Sequence, residues 1–236
     1  MKNVLITGGA NGIGYECASI FADDGNNVYV IDIDQEEIEK KQKLNKKIKF
    51  YCCDVSNYKK MEEIANQINT KIDVLINCAG IQIVDSFEQY DQESWQQVMN
   101  TNYFGICNSI HIFKKYMKEK STILNLASIH SSKPRLNKYA YDSSKNAVIM
   151  LTKELGIELS KEFITINALS FGAVETKMNS IWNENILDKE IARSKVPMGI
   201  IFKPQEIASF AYKIIRDFSE YTTGSVFTID GGRSLT

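Results

Sequence analysis

Glycines at positions 8, 12 and 14 follow the apolar run Val4, Leu5, Ile6 and run into the helical spacing of Ile13, Cys17, Ile20 and Phe21. A strand, a glycine loop and a helix start in this order bring free N–H groups and the positive end of a helix dipole to one point, which suits an anion. Without a Cβ at the glycines, a diphosphate can approach the backbone closely. Eighteen residues after Gly14, a second apolar run, 28–31, ends in Asp32. Dinucleotide-binding units place an acidic residue there, about 20 residues on, to hold the ribose hydroxyls of NAD. Farther along, Tyr141 and Lys145 stand four apart, which puts both side chains on one helix face.

To position these groups, the chain alternates short apolar runs with helical stripes. Strands are expected at 4–6, 28–31, 48–53, 72–76, 123–126, 163–169 and 226–229. Helices are expected from Ile13, over 34–47, and after a Ser56 cap with the stripe Met61, Ile64, Ala65 and Ile68. Three more are expected over 92–120, 138–161 and 204–218. This alternation implies a parallel sheet covered on both faces, and in such sheets ligands lie across the carboxyl ends of the strands. Gly8, Asp32, Asp54 and Asn77 each follow a strand and so gather on that edge. The expected fold is α/β, a Rossmann-type doubly wound and mainly parallel seven-stranded sheet, with residues 1–236 as a single domain. Between 177 and 203 the pattern loosens around Met178, Ile181, Trp182, Ile186 and Leu187, which reads as a mobile flap over the site, with an ordinary connecting helix pair as the alternative.

Composition narrows the function. Lys plus Arg number 28 against 29 Asp plus Glu, so net charge gives no reason to expect nucleic acid or a membrane surface as partner. A hydrophobic fraction of 44% and a charged fraction of 24% are ordinary for a globular chain. No apolar run approaches the roughly 18 residues of a membrane span. The first strand begins directly after Met1, Lys2 and Asn3, and a secretory signal is not expected. Five cysteines, at 17, 52, 53, 78 and 107, form no C-x-x-C pair and read as reduced thiols, which suits the cytoplasm. With His111 and His130 the only histidines, no metal site is expected.

Taken in order, several motifs resemble the single-domain branch of the short-chain dehydrogenase/reductases over nearly the whole chain. They are T-G-G-A-N-G-I-G at 7–14, Asp54, N-C-A-G at 77–80, Asn102 in N-T-N-Y-F-G, Ser128, Y-x-x-x-K at 141–145, V-E-T at 174–176 and I-D-G-G near the end. The resemblance implies hydride transfer between a nicotinamide and a secondary alcohol or its ketone. It implies Tyr141 as general acid/base, with Lys145 lowering the phenol from about 10 toward the working pH. It further implies that Ser128 bonds the substrate oxygen and that Asn102 holds a water relaying the proton beyond Lys145.

For the coenzyme, the resemblance implies a cradle of Gly8, Asn11, Gly12, Ile13 and Gly14, with Asp54 and Val55 at the adenine, Asn77 at the ribose, and Val174 with Thr176 at the carboxamide. Gly80, Tyr141 and Lys145 would also touch it. Asp32 would accept from both ribose hydroxyls and repel a 2′-phosphate, and neither Asn11 nor Ile33 is basic, so NAD is expected. An NADPH-dependent 3-oxoacyl-carrier-protein reductase is the alternative. A non-catalytic dinucleotide sensor or scaffold is a further one, against which the presence of both Tyr141 and Lys145 argues. The expected partners are a small-molecule alcohol or ketone and further copies of the chain, in a dimer or homotetramer built on the two long helices. Two residues depart from the family's pattern: Cys78 where Asn is usual, and Phe171 where Pro is usual, in the loop bearing Val174 and Thr176. The substrate wall is expected at 82–84, His130, Arg135 and 178–187, with Trp182 and the aliphatics as an apolar part and His130 and Arg135 open to pairing with a carboxylate or to facing solvent.

Overall fold

The computed structural model describes residues 1–179 and 186–236. Seven strands, β1 (Asn3–Thr7), β2 (Asn27–Asp32), β3 (Ile48–Cys52), β4 (Val74–Asn77), β5 (Thr122–Leu126), β6 (Thr165–Phe171) and β7 (Val226–Ile229), form one sheet in the order β3-β2-β1-β4-β5-β6-β7. Every neighbouring pair is parallel. This is the doubly wound Rossmann-type sheet expected. The chain runs outward from β1 to β3 and then returns to place β4 on the other side of β1, and at that reversal a crevice opens for a ligand. Thr7 is in register with both Ile31 and Asn77, so the loops after β1, β2 and β4 leave the sheet side by side.

Alternation along each strand builds two apolar layers. Val4, Ile6, Val28 and Val30 face Cys17, Ala18 and Phe21 of α1 (Gly12–Asp23) and Ile207, Ala208 and Ala211 of a helix at Pro204–Lys213. Leu5, Ile31, Leu75 and Ile123 face Met61 and Ile64 of a helix at Tyr58–Ile68, Ile106 and Ile110 of one at Gly105–Lys114, and Val148 of one at Tyr139–Ser160. Each such side chain, fully buried, contributes about 1.5–3 kcal/mol relative to exposure. In chain order the helices after α1 are α2 (Gln35–Leu44), α3 (Tyr58–Ile68), α4 (Gln92–Met99), α5 (Gly105–Lys114), α6 (Tyr139–Ser160), α7 (Ile186–Ser194) and α8 (Pro204–Lys213).

Several boundaries differ from the sequence expectation for local reasons. The cap of α3 is Asn57, whose side chain accepts from Lys60 N at 3.1 Å, rather than Ser56. Strand β6 starts late because Phe163 takes a left-handed φ of 55° just before it. The helix expected over 92–120 is two helices joined through a π-turn at Asn100–Phe104, and α5 stops at Lys114. Of the loosened stretch, Lys177–Asn179 form a 3-10 turn, Ile186–Ser194 form α7, and 195–203 lead on to α8 with a bridge from Phe202 to Val174; Ile181 and Trp182 lie outside the described residues. All five cysteines are free. Among the described residues, no helix is long and apolar enough to cross a membrane, and no group of His, Cys, Asp and Glu could hold a metal ion.

Candidate active site

At the carboxyl edge of the sheet the three glycines divide their tasks. A side chain on Gly8, where φ is +67°, would lie 2.6 Å from the Ala79 backbone, and one on Gly14 would lie 2.1 Å from the Gly8 carbonyl oxygen. Both positions are therefore set by chain-to-chain approach within the loop. Gly12, with φ +51° and Thr176 Cγ2 as nearest neighbour at 3.7 Å, faces the crevice with open space beside it. Asn11 caps α1 by accepting from Gly12 N at 3.0 Å. Asp32 ties the end of β2 to this loop: Oδ2 accepts from Ala10 N at 2.9 Å and Oδ1 from Asp34 N at 3.0 Å.

A cleft of about 1300 Å³ opens here, larger than the roughly 300–1,000 Å³ of pockets for drug-sized ligands. Gly8, Asn11, Gly12, Ile13, Asp32, Asp54, Val55 and Gly80 line one part of it. Ser128, Tyr141, Lys145, Val174 and Thr176 line the same cleft, as do Gln82, His130, Arg135 and Met178. Phe171 ends β6 opposite Ile229 and also reaches the wall. Val84 is exposed, and Ile83 faces a separate small pocket with Trp95 and Tyr139.

Two residues expected in the site stand behind it. Asn77 is almost fully buried and donates to Asn125 Oδ1 at 2.9 Å while accepting from the Ser109 hydroxyl. Asn125 passes the chain of bonds to Thr152 at 2.9 Å. Strand alternation turns the Asn77 side chain into this satisfied polar network between sheet and helices, where it braces the sheet edge. Asn102, fully buried in the π-turn, accepts from Ile81 N at 2.8 Å and donates to Ile81 O at 2.9 Å and Ser144 Oγ at 3.0 Å. It clamps the segment that follows Gly80. One lone pair of its Oδ1 stays open, and a side chain on Gly80 would sit 3.4 Å from that oxygen and 3.5 Å from Lys145 Nζ.

Ser128 accepts from His130 N at 3.2 Å, capping the short turn that follows β5, and is also hydrogen-bonded to the Tyr141 side chain. Lys145 Nζ lies 5.7 Å from the Tyr141 ring centroid and donates to Leu126 O at 2.8 Å. The lysine thus sits over the ring, with its hydrogen bond made to the end of β5. Burial pushes the Tyr141 phenol up to about 12, outweighing the Ser128 bond and the Arg135 charge that favour its ionised form. Burial pushes Lys145 down to about 8. The lowered phenol expected from the four-residue spacing is therefore not what the structure gives, because desolvation of a phenol inside the helix–sheet interface exceeds the pull of a cation aimed elsewhere.

Comparison with known proteins decides the family. The family model described as enoyl-(acyl carrier protein) reductase, a short-chain dehydrogenase model, matches residues 8–234. The chain belongs to the short-chain dehydrogenase/reductases. It is an oxidoreductase of that family. The 3-oxoacyl-(acyl-carrier-protein) reductase of Thermotoga maritima is 33% identical over 98% of this chain and 97% of its own. The 2,3-dihydro-2,3-dihydroxybenzoate dehydrogenase of Bacillus subtilis is 29% identical over 99% and 96%. The solved structure of ElxO with NADP bound superposes with a TM-score of 0.91 at 28% identity, covering 100% of both chains.

Within this short-chain dehydrogenase, part of the wall carried no motif. Glu93, Gln96 and Thr101 on and after α4, Ile191 and Lys195 on and after α7, and Arg233 beyond β7 all line the cleft. Arg233 follows the last strand, and the rule that strand ends share one edge pointed to it. The α4 and α7 residues are brought in by packing of helices against the opening, for which no local pattern exists.

Proposed function

We propose that the protein uses NAD(H) to interconvert a secondary alcohol and its ketone, with Tyr141 as general acid/base. The observation that carries this reading is that Ser128, Tyr141 and Lys145 face the same cleft as the glycine loop and Asp32. Gly12, Asn11, Asp32, Asp54, Val55, Val174 and Thr176 would hold the coenzyme, whose nicotinamide supplies or accepts the hydride. Ser128 holds the substrate oxygen and Tyr141 exchanges the proton with it. The charge of Lys145 stabilises the phenolate left after donation. The space at Gly80, between Asn102 Oδ1 and Lys145 Nζ, suits a water that returns the proton. A phenol held up at about 12 is protonated at neutral pH, which prepares the resting protein for reduction of a ketone.

The ionisation pattern sets the pH dependence. Tyr141 keeps its proton across the physiological range, whereas Lys145, lowered to about 8, loses its charge above that pH. Ketone reduction at saturating NADH is therefore expected to be level from about pH 6 to 7.5 and to fall above about 8. A rate that rises through this range, with chemistry shown to limit it, would contradict the assignment.

Asp32 supports NAD over NADP, since its carboxylate would repel a 2′-phosphate, and Ile33 beside it is exposed and uncharged. Lys177, on the same cleft, is engaged by Glu37 at 3.1 Å. Asp32→Asn keeps an acceptor for Ala10 N but removes the charge. It is expected to shift relative affinity toward NADPH by roughly ten- to a hundredfold, equivalent to about 1.4–2.8 kcal/mol of lost repulsion. Fluorescence titration of the variant with both coenzymes checks this, and an unchanged ratio would show that another group sets the preference. The similarity to the Thermotoga reductase favours a second reading, reduction of a 3-oxoacyl thioester with NADPH. A screen of ketones, secondary alcohols and 3-oxoacyl thioesters with each coenzyme separates the two.

The same reading places both coenzyme binding and catalysis in one domain, in a cytoplasmic homo-oligomer. Exposed Met150 and Ile157 on α6 and Phe104 at the start of α5 support assembly through these helices, as a dimer or tetramer.

A further inference from the structure

Past Ser128 and Tyr141 the cleft wall turns basic. Arg135, Arg233 and Lys195 all line it, and among the described residues none forms an ion pair. Glu93 and Asp188 also line the wall and pair with none of these cations; the carboxylate whose charge acts on Arg135 is that of Asp142, behind it. Arg135 is the one held from behind. Its Nη2 donates to Gln82 Oε1 at 3.1 Å, and its backbone N donates to Asp142 Oδ2 at 2.7 Å. Its Nε is buried and has no hydrogen-bond partner, and Asp142 Oδ1 is likewise unpartnered. A guanidinium stays charged even when half-buried; Nε is enclosed by protein, and the part of the fork without a protein partner that can face the cleft is Nη1. The rigid fork of an arginine matches a carboxylate in two parallel bonds.

His130, the other basic residue here, does a different job. Its Nδ1 lies 2.7 Å from Lys133 O; a carbonyl only accepts, so Nδ1 carries the proton and Nε2 presents a lone pair. Burial and the nearby cations push it down to about 4, and it stays neutral at pH 7. It can accept from a hydroxyl but cannot hold an anion. Arg135 also stands near enough for its charge to act on the Tyr141 hydroxyl. An anionic group on Arg135 and a carbonyl on Ser128 and Tyr141 thus belong to one compact molecule.

We propose that Arg135, positioned by Gln82 and Asp142, is a carboxylate subsite, and that the substrate is a short oxo acid reduced to the hydroxy acid. This rests on the function proposed above. The test is a panel of short 2-oxo and 3-oxo acids, each paired with its methyl ester, assayed by NADH consumption with the wild-type chain, Arg135→Gln and Arg135→Lys. Melting curves and NADH titrations of each variant show that it is folded. The wild type is expected to favour at least one acid over its ester by about 100-fold in kcat/KM, the scale of a charge-assisted bidentate contact. Arg135→Gln should lower that ratio by at least about tenfold, and Arg135→Lys should recover part of it. Esters used as well as acids, a ratio unmoved by Arg135→Gln, or no acid turned over by a chain that binds NADH would each overturn the subsite. Failure of the wild type to bind either coenzyme would instead overturn the reading on which it rests.

Discussion

Replacing Tyr141 with phenylalanine is expected to lower kcat by about a thousandfold or more while NADH binding changes less than about threefold. The ring is buried between α6 and the sheet edge, and phenylalanine fills the same volume, so packing survives. What disappears is the proton that the hydroxyl passes to the substrate oxygen, and positioned acid–base groups typically contribute about 10²–10⁴ in rate. The folded state also loses the bond to Ser128, at a cost of about 1 kcal/mol, which a melting curve will register as a small shift. Single-turnover measurement with bound NADH separates the two effects. Retention of more than about a tenth of wild-type turnover would remove Tyr141 from the acid–base role.

The second large effect is expected at Gly14. An added methyl there would stand 2.1 Å from the Gly8 carbonyl oxygen and 3.0 Å from Gly9 Cα. Backbone, unlike the end of a flexible side chain, has nowhere to move, because a side-chain position on Gly8 is itself 2.6 Å from the Ala79 backbone. Gly14→Ala should therefore cost about 3 kcal/mol, the upper end for overpacking. That corresponds to a fall of about 6–12 °C in Tm for a chain of this size. It should also tilt the start of α1 away from the cleft and weaken NADH binding by more than about tenfold. Gly25→Ala is the comparison: there φ is +78° and nothing lies within 4 Å of the added carbon, whereas Gly14 lies inside α1 without a positive φ. A loss at Gly14 no larger than that at Gly25, where the strain is of backbone conformation alone, would contradict the close approach of loop to helix as the source of the effect.

Much of the sheet was legible because its strands are short, β-branched and punctuated. Val4 to Ile6 and Val28 to Ile31 alternate faces while staying apolar on both, as a covered parallel sheet demands. The edge position of Asp32 followed from the same reading. Asn77 did not, although period-2 alternation from Ile76 places its side chain on the face covered by α5, where Ser109 and Asn125 engage it. The π-turn that carries Asn102 has no sequence period of its own, and a continuous helix was the natural expectation. Spacing put Tyr141 and Lys145 on one face, but it carries no information on desolvation or on where the lysine aims. The bond from Lys145 to Leu126 O is a tertiary fact, and with it went the lowered phenol. Arg135 reads from sequence as a wall residue that pairs with a carboxylate or faces solvent; how Gln82 and Asp142 hold it is visible only in the fold.

The most direct test of the central claim is an equilibrium fluorescence titration of the wild-type chain with NADH and, separately, NADPH. The cleft built by Gly12, Asp32 and Thr176 beside Tyr141 and Lys145 predicts saturable one-site binding of NADH, at least about tenfold tighter than NADPH. Tighter binding of NADPH would contradict the role given to Asp32 and favour the thioester reductase, and no binding of either would contradict the site itself.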